Sequence, residues 1–364
     1  MVEAMLAQEN LGELHGRLSG CFARVEPRQQ ARKYITGLMS DLPRKNCWTI
    51  AEHAGDASPD RMQRLLNDAV WDTTAAMGVI RRFVAEHLAP PAGGLAVAAL
   101  DETGQEKKGT STAGVKRQYM GCAGQVANGI NTVHCSFATR GGHALIGARL
   151  YLPAEQLDDP DRRTELGIPA DVVFRTKPQL AIDIITDALA DQAMPPWCAG
   201  DEVYGRSGQL RRHLEDHQIG YVLRVGCAFT VELNPATRLR ADTLAATHLA
   251  AERHWQTVTV PGSKGDRSYA WAWVATASPA AGGARCSATN RRITPIAAVV
   301  SHTASLSSRC IRSGVASPAC SASVHEFWRG RSLINPVMYL RACRSGSTRA
   351  KQPLSRPWSS PRFS

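Results

Sequence analysis

The spacing of apolar residues changes at the Pro- and Gly-rich stretch 89–94, Ala-Pro-Pro-Ala-Gly-Gly. Before it, apolar residues such as Met62 and Leu65 recur at helical intervals, whereas short apolar runs bounded by turn residues follow it and predict strands. Two prolines and two glycines end a helix and suit a connector between domains. We therefore predict a helical region over 15–90 and an α/β domain over 93–278.

The order of elements predicts the architecture of the second domain. A buried strand at 95–100 is followed by Asp101, and a second buried strand at 197–200 is followed by Asp201. This order predicts an α/β fold with a mixed sheet and helices packed on it. The further predicted elements are strands at 118–125, 129–138, 144–152 and 221–225, hairpin turns at 127–129 and 140–142, and helices at 17–40, 177–192 and 207–217.

The basic charge belongs to the end of the chain. Of a net charge of +11, residues 279–364 supply twelve Arg and one Lys against one acid, Glu326, whereas residues 1–278 hold 30 basic and 31 acidic residues. The body of the protein is therefore neutral, and its overall charge is no evidence that it binds nucleic acid.

Several common classes of protein are excluded because the sequence lacks the segments or motifs that mark them. No apolar run approaches the roughly 20 residues that cross a bilayer, and the N-terminus lacks a signal-peptide pattern, so we expect a cytoplasmic protein without a membrane segment. Ten cysteines without a C-x-x-C pair predict reduced thiols. The sequence contains no P-loop, dinucleotide fingerprint, nucleophile elbow or H-E-x-x-H pattern.

Asp101 and Asp201 occupy equivalent positions, each at the predicted carboxyl end of a buried strand, where such sheets place functional groups. Carboxylates that converge from two strand ends can share Mg²⁺ or Mn²⁺ and leave room for phosphate oxygens. Two such ions about 4 Å apart stabilise both oxygens of an in-line phosphoryl displacement. The alternative is that each aspartate is only a helix cap or a turn former.

Three stretches of the sequence resemble the IS701-type transposases of bacterial insertion sequences, members of the DDE superfamily, and they occur in the order found in that family. They are residues 44–55 (RKNCWTIAEHAG), 101–109 (DETGQEKKG) and 200–205 (GDEVYG). The resemblance covers roughly residues 15–278. It implies an RNase H-like core in which Asp101 and Asp201 are the first and second metal-binding carboxylates of a triad.

The resemblance also implies a reaction and a partner. The reaction is hydrolysis of a phosphodiester at a transposon end, followed by attack of the freed 3′-hydroxyl on target DNA. Double-stranded DNA is then the partner, and paired ends make a homodimer the default. Arg44 and Lys45 in the helical region, and Lys107 and Lys108 after the first aspartate, are candidate phosphate contacts, with ordinary solvated side chains as the alternative.

The resemblance ends before the last segment of the chain. Family members carry the third acid on a helix after a β-rich insertion, which here begins at about residue 228, but residues 279–364 contain Glu326 as their only acid. A basic DNA-binding tail is one explanation. We favour a change of reading frame near 279–290, because out-of-frame translation of a GC-rich gene yields Arg, Ser, Pro, Ala and Cys. An irregular or disordered tail and an inactive transposase would follow, and a non-catalytic DNA-binding remnant is the alternative function.

Overall fold

A computed structural model describes residues 2–121, 123–260, 267–274, 284–288 and 296–301. The helices are α1 Val2–Leu18, α2 Val25–Met39, α3 Cys47–His53, α4 Asp60–Asn67, α5 Thr73–His87, α6 Ala154–Leu157, α7 Pro160–Glu165, α8 Lys177–Ala190, α9 Glu202–Gly205, α10 Gly208–Asp216 and α11 Ala241–Thr247. The strands are β1 Val97–Glu106, β2 Lys116–Met120, β3 Gln125–Thr139, β4 Gly142–Leu150, β5 Trp197–Gly200, β6 Gly220–Val225, β7 Thr230–Asn234, β8 Thr237–Arg240, β9 Gln256–Val260, β10 Arg267–Val274, β11 Ala284–Ala288 and β12 Ile296–Ser301. Within these residues every helix is too short or too polar to cross a membrane.

Ten strands form one mixed sheet at the centre of the molecule. Their order is β2-β3-β1-β5-β6-β12-β11-β10-β9, and β4 pairs with the far part of β3. Strand β3 is antiparallel to β1 and β4, whereas β5 is parallel to both β1 and β6. The predicted α/β fold with a mixed sheet, as expected of an RNase H-like core, is thereby confirmed.

Helix α8 provides the crossover that a parallel pair of strands requires, and it packs on β3 and β4. It begins sharply because the side chains of Thr176 and Gln179 cap each other's backbone N–H groups. Ile184 and Ile185 on its inner face are fully buried, together with Tyr221 and Leu223 of β6. These residues belong to the main core.

Helix α5 belongs to the helical region by sequence but packs against β4. Its Arg81 is only 3% exposed, and Nε of Arg81 donates to Asp191 at the end of α8 over 2.6 Å. A second guanidinium nitrogen donates to the Ile146 carbonyl of β4 over 3.4 Å. An ion pair buried to this degree fixes α5 to the sheet and to α8.

Helices α2, α3 and α4 enclose a smaller core around the fully buried Ile50 and Met62. The side chain of Asn46 caps the first turn of α3. Asp56, between α3 and α4, accepts a hydrogen bond from Gln30 over 2.8 Å and pairs with Lys33 of α2. This region is therefore ordered by its own core and by polar contacts to the turn.

Two local predictions are wrong. The helix predicted over 17–40 is interrupted between α1 and α2, where Phe22 forms an isolated bridge to Trp71 and stacks on its ring with centroids 5.4 Å apart. The turn predicted at 127–129 lies inside β3. A Cβ on Gly129 would lie 2.4 Å from the Gln105 carbonyl oxygen, so this glycine allows a close approach of β1 instead of a turn. The turn predicted at 140–142 is confirmed.

The chain after residue 228 is rich in strands. Strands β7 and β8 form a separate two-stranded sheet, and β9 and β10 extend the edge of the main sheet. Strands β11 and β12 fall within 279–364, the segment predicted to be irregular, and β12 pairs antiparallel with β6. The rest of that segment, including Glu326, lies outside the described residues.

Candidate metal centre

Asp101 and Asp201 lie side by side because of the register of two parallel strands. Leu100 of β1 is paired with Gly200 of β5, so the next residue of each strand is an aspartate at the same level of the sheet. Strand β5 ends there, whereas β1 continues to Glu106 along β3. The prediction that Asp101 ends its own strand is therefore wrong. Asp101 lies instead beside the point at which the neighbouring parallel strand, β5, ends.

The short helix α9 fixes the second aspartate. Asp201 is its N-cap residue, and its side chain accepts a hydrogen bond from the Val203 N–H over 2.9 Å. The helix lies directly on β6, since a Cβ on Gly205 would be 1.7 Å from the Arg224 carbonyl oxygen. Tyr204 is fully buried beneath the turn. The glycine and the tyrosine thus hold Asp201 at the carboxyl end of β5.

A third acid, Glu102, joins the two aspartates. One carboxylate oxygen from each of Asp101, Glu102 and Asp201 lies within 4.8 Å of the others. Reasoning from sequence missed Glu102, because consecutive residues of a strand point to opposite faces. Its only signal in the sequence is its position next to Asp101 at the point where β5 ends.

Burial disfavours the charged form of each of the three acids. It raises the pKa of Asp101 to about 7, and it also raises the pKa values of Glu102 and Asp201. The nearby cations compensate in part: Lys177 Nζ lies 3.5 Å from Glu102 Oε1, and the charge of Arg224 acts on Asp201 to lower its pKa. The site therefore favours an additional positive charge.

The three acids fit a hard divalent cation such as Mg²⁺ or Mn²⁺, which binds carboxylate oxygens. Glu102 Oε1 is buried and makes no hydrogen bond of ordinary geometry. Such an oxygen is costly unless a cation takes the place of the missing donor. The residues present are thus chemically suited to hold the ion.

The structure does not bring Lys107 and Lys108 to the carboxylates. They follow β1, and the five residue steps from Asp101 to Glu106 extend about 17 Å along the strand. Arg44 and Lys45 are exposed in the loop between α2 and α3. None of the four basic residues is therefore part of the carboxylate cluster.

Asp101→Asn is expected to raise the melting temperature of the metal-free protein. The pKa of Asp101 is about 7 in the folded protein against an ordinary 3.8, so the folded state binds this proton more tightly than the unfolded chain. Stability is then lost as the pH rises from about 4 to about 7, and the neutral amide avoids that loss. In EDTA at pH 7.5 we expect the variant to melt roughly 2–4 °C higher, with a smaller difference at pH 5. Equal melting temperatures at pH 7.5 would contradict this reading.

The sequence is similar to those of known proteins. Residues 17–276 match the family model described as "DDE superfamily endonuclease". The "Probable transposase for insertion sequence element IS701" of Microchaete diplosiphon is 26% identical over 257 residues, which are 69% of this chain and 63% of that protein. The chain thus matches less than two thirds of that relative's length. The resemblance predicted from the three motifs is confirmed, and the family match stops just before the composition changes at residue 279.

Proposed function

The chain belongs to the DDE superfamily of endonucleases, and we propose that it cuts double-stranded DNA at the ends of an insertion sequence and joins the freed 3′ ends to target DNA. The observation that carries this proposal is the convergence of Asp101, Glu102 and Asp201 within 4.8 Å at the sheet edge. The similarity to a probable insertion-sequence transposase supports the choice of substrate. Hydrolysis at the ends and attack on the target are both phosphoryl transfers.

In this proposal Asp101 and Asp201 hold a divalent ion, Mg²⁺ or Mn²⁺, beside the scissile phosphate. When bound, the ion supplies charge stabilisation to the phosphate oxygens and makes a water or hydroxyl a better nucleophile. The Val203 N–H keeps the Asp201 carboxylate oriented. Partial burial of the acids excludes water and strengthens their interaction with the ion.

Cleavage of DNA carrying the element's ends tests the proposal. We expect nicking of labelled end-containing duplexes in Mg²⁺, none in EDTA, and joined products when target DNA is added. Cutting without joining would instead indicate a nuclease of the same fold. Binding with no cutting in Mg²⁺ or Mn²⁺ would overturn the catalytic proposal.

A second function, a non-catalytic remnant that still occupies DNA ends, is favoured by one observation. Residues 279–364 contain a single acid, Glu326, whose spacing from Asp201 is tolerable but whose sequence context does not match the acid-bearing helix of the family. The nucleotide sequence decides whether the frame changes near 279–290. An alternative frame that encodes an acid-bearing helix would support the remnant.

We further propose that the protein binds paired DNA ends as a homodimer. The DNA phosphates would be contacted by Arg44, Lys45, Lys107 and Lys108. Replacing both Arg44 and Lys45 with Ala should weaken binding to all sequences alike, because phosphate contacts carry no base information. For each bound protomer, the magnitude of the slope of log affinity against log salt should fall by about 2. Fluorescence anisotropy at several salt concentrations measures both quantities. An unchanged slope would remove these residues from the interface.

A further inference from the structure

We propose that Glu102 is the third carboxylate ligand of the metal centre, completing with Asp101 and Asp201 a site for one divalent cation. This inference rests on the proposed metal-dependent function and assigns a residue that the three sequence motifs do not. The carboxylate oxygens of the trio, within 4.8 Å of one another, are close enough to share one ion after small side-chain adjustments.

The surroundings of Glu102 leave its carboxylate incompletely satisfied. The Glu102 side chain is 15% exposed, and the ammonium group of Lys177 stands 3.5 Å from Oε1, longer than a charged hydrogen bond. Lys177 and the Tyr204 hydroxyl both lower the pKa of this carboxylate, but no donor makes a hydrogen bond of ordinary geometry to the same oxygen. An ion pair with Lys177 alone therefore does not account for this carboxylate.

A second unsatisfied group faces the same place. Tyr204 is fully buried, and its hydroxyl interacts with the Glu102 carboxylate, but the two groups do not reach ordinary hydrogen-bond geometry. Buried hydroxyls normally have a partner. The hydroxyl and the carboxylate therefore satisfy each other only incompletely, which indicates a place beside the three acids for an ion with its bound water.

The proposed ligands of the site all lie outside residues 279–364. Its three acids, Lys177 and Tyr204 all lie within the residues that match the family model, 17–276. Cation binding here therefore requires no acid from 279–364. The consequence is that this chain binds a divalent ion whether or not its last segment is in frame.

Titration of the full-length protein with Mn²⁺, with free ion followed by electron paramagnetic resonance, tests the inference without DNA or activity. We expect Glu102→Gln to weaken Mn²⁺ binding at least tenfold, since even outer-shell changes cost about 10–100-fold. Glu106→Gln, an exposed glutamate on the same strand, is the matched control and should bind as the wild type. Glu102→Asp, which keeps the charge on a shorter chain, should fall between the two.

Two further measurements separate a ligand from a structural ion pair. Lys177→Met should keep or increase Mn²⁺ affinity if Glu102 is a ligand, because a competing cation is removed. Melting temperatures in EDTA establish that each variant is folded, and Mn²⁺ should raise that of the wild type more than that of Glu102→Gln. Wild-type affinity in folded Glu102→Gln, or no Mn²⁺ binding by the wild type, would overturn the inference.

Failure of this inference differs from failure of the proposed function. DNA cleavage together with Mn²⁺ binding that ignores Glu102 would reject only the role of Glu102. Mn²⁺ binding that depends on Glu102 without any DNA cleavage would reject the transposase proposal and leave the metal site in place.

Discussion

If the chain is the proposed transposase, Asp101→Asn or Asp201→Asn is expected to lower the rate of Mg²⁺-dependent DNA cleavage by about a thousandfold or more. The amide keeps the size of the side chain but removes the charged oxygen that would hold the ion. A metal ion supplies several kcal/mol of stabilisation to the developing charge, and each 1.4 kcal/mol is worth about a factor of ten in rate. Cleavage of a labelled end duplex under single-turnover conditions measures this loss.

The appropriate control is Asp216→Asn, an exposed aspartate at the end of α10 that should cleave at the wild-type rate. DNA affinity should survive in both active-site variants, since the proposed phosphate contacts lie elsewhere. The predicted rise in melting temperature of metal-free Asp101→Asn makes loss of folding an inadequate explanation for lost cleavage. Cleavage by Asp101→Asn within a few-fold of the wild type would exclude this aspartate as a metal ligand.

The positions of the two aspartates could be predicted from sequence because an apolar run stopped by an acid is a local signal. A short apolar run stopped by an acid occurs twice, and parallel pairing with equal register then brings the acids together. What sequence could not supply is the continuation of β1 past Asp101, which depends on β3, a strand about 30 residues away along the chain. Propensity alone does not determine such pairing.

Glu102 and Gly129 show why other features of the site and the fold could not be predicted from sequence. Strand alternation argues that Glu102 points away from Asp101, yet its oxygen reaches the same cluster at the sheet edge. Asn128-Gly129 is a strong hairpin signal. Here Asn128 donates instead to the Lys107 and Gly109 carbonyls over 2.7 and 3.0 Å, and the glycine admits the β1 backbone. In both cases tertiary contacts overrule the local pattern.

Asp191→Ala is expected to lower the free energy of unfolding by about 3 kcal/mol or more. The variant leaves the Arg81 guanidinium, 3% exposed, without its 2.6 Å partner. The carboxylate of Asp187 remains 3.8 Å away and also pairs with Arg149, so it compensates only in part. Breaking a buried pair by removing one partner typically costs about 3–5 kcal/mol. Equilibrium unfolding in urea measures the change.

The chain provides a matched control on the same carboxylate. Arg82 pairs with the other oxygen of Asp191, also over 2.6 Å, but its side chain is 48% exposed. Arg82→Ala should therefore cost no more than about 1 kcal/mol, because solvent screens the pair. If Asp191→Ala cost no more than Arg82→Ala, burial of Arg81 would not be what anchors α5.

Removing both charges of the Arg81–Asp191 pair tests whether an unpaired buried charge is the reason for the loss of stability. In Arg81→Met with Asp191→Leu, apolar side chains of similar length replace the pair, and stability should return to near the wild-type value, as for other buried pairs. Asp191 follows the last turn of α8, whose first residue, Lys177, faces Glu102. The helix that supplies the cation beside the acids is thus held at its other end by a residue of the N-terminal helices.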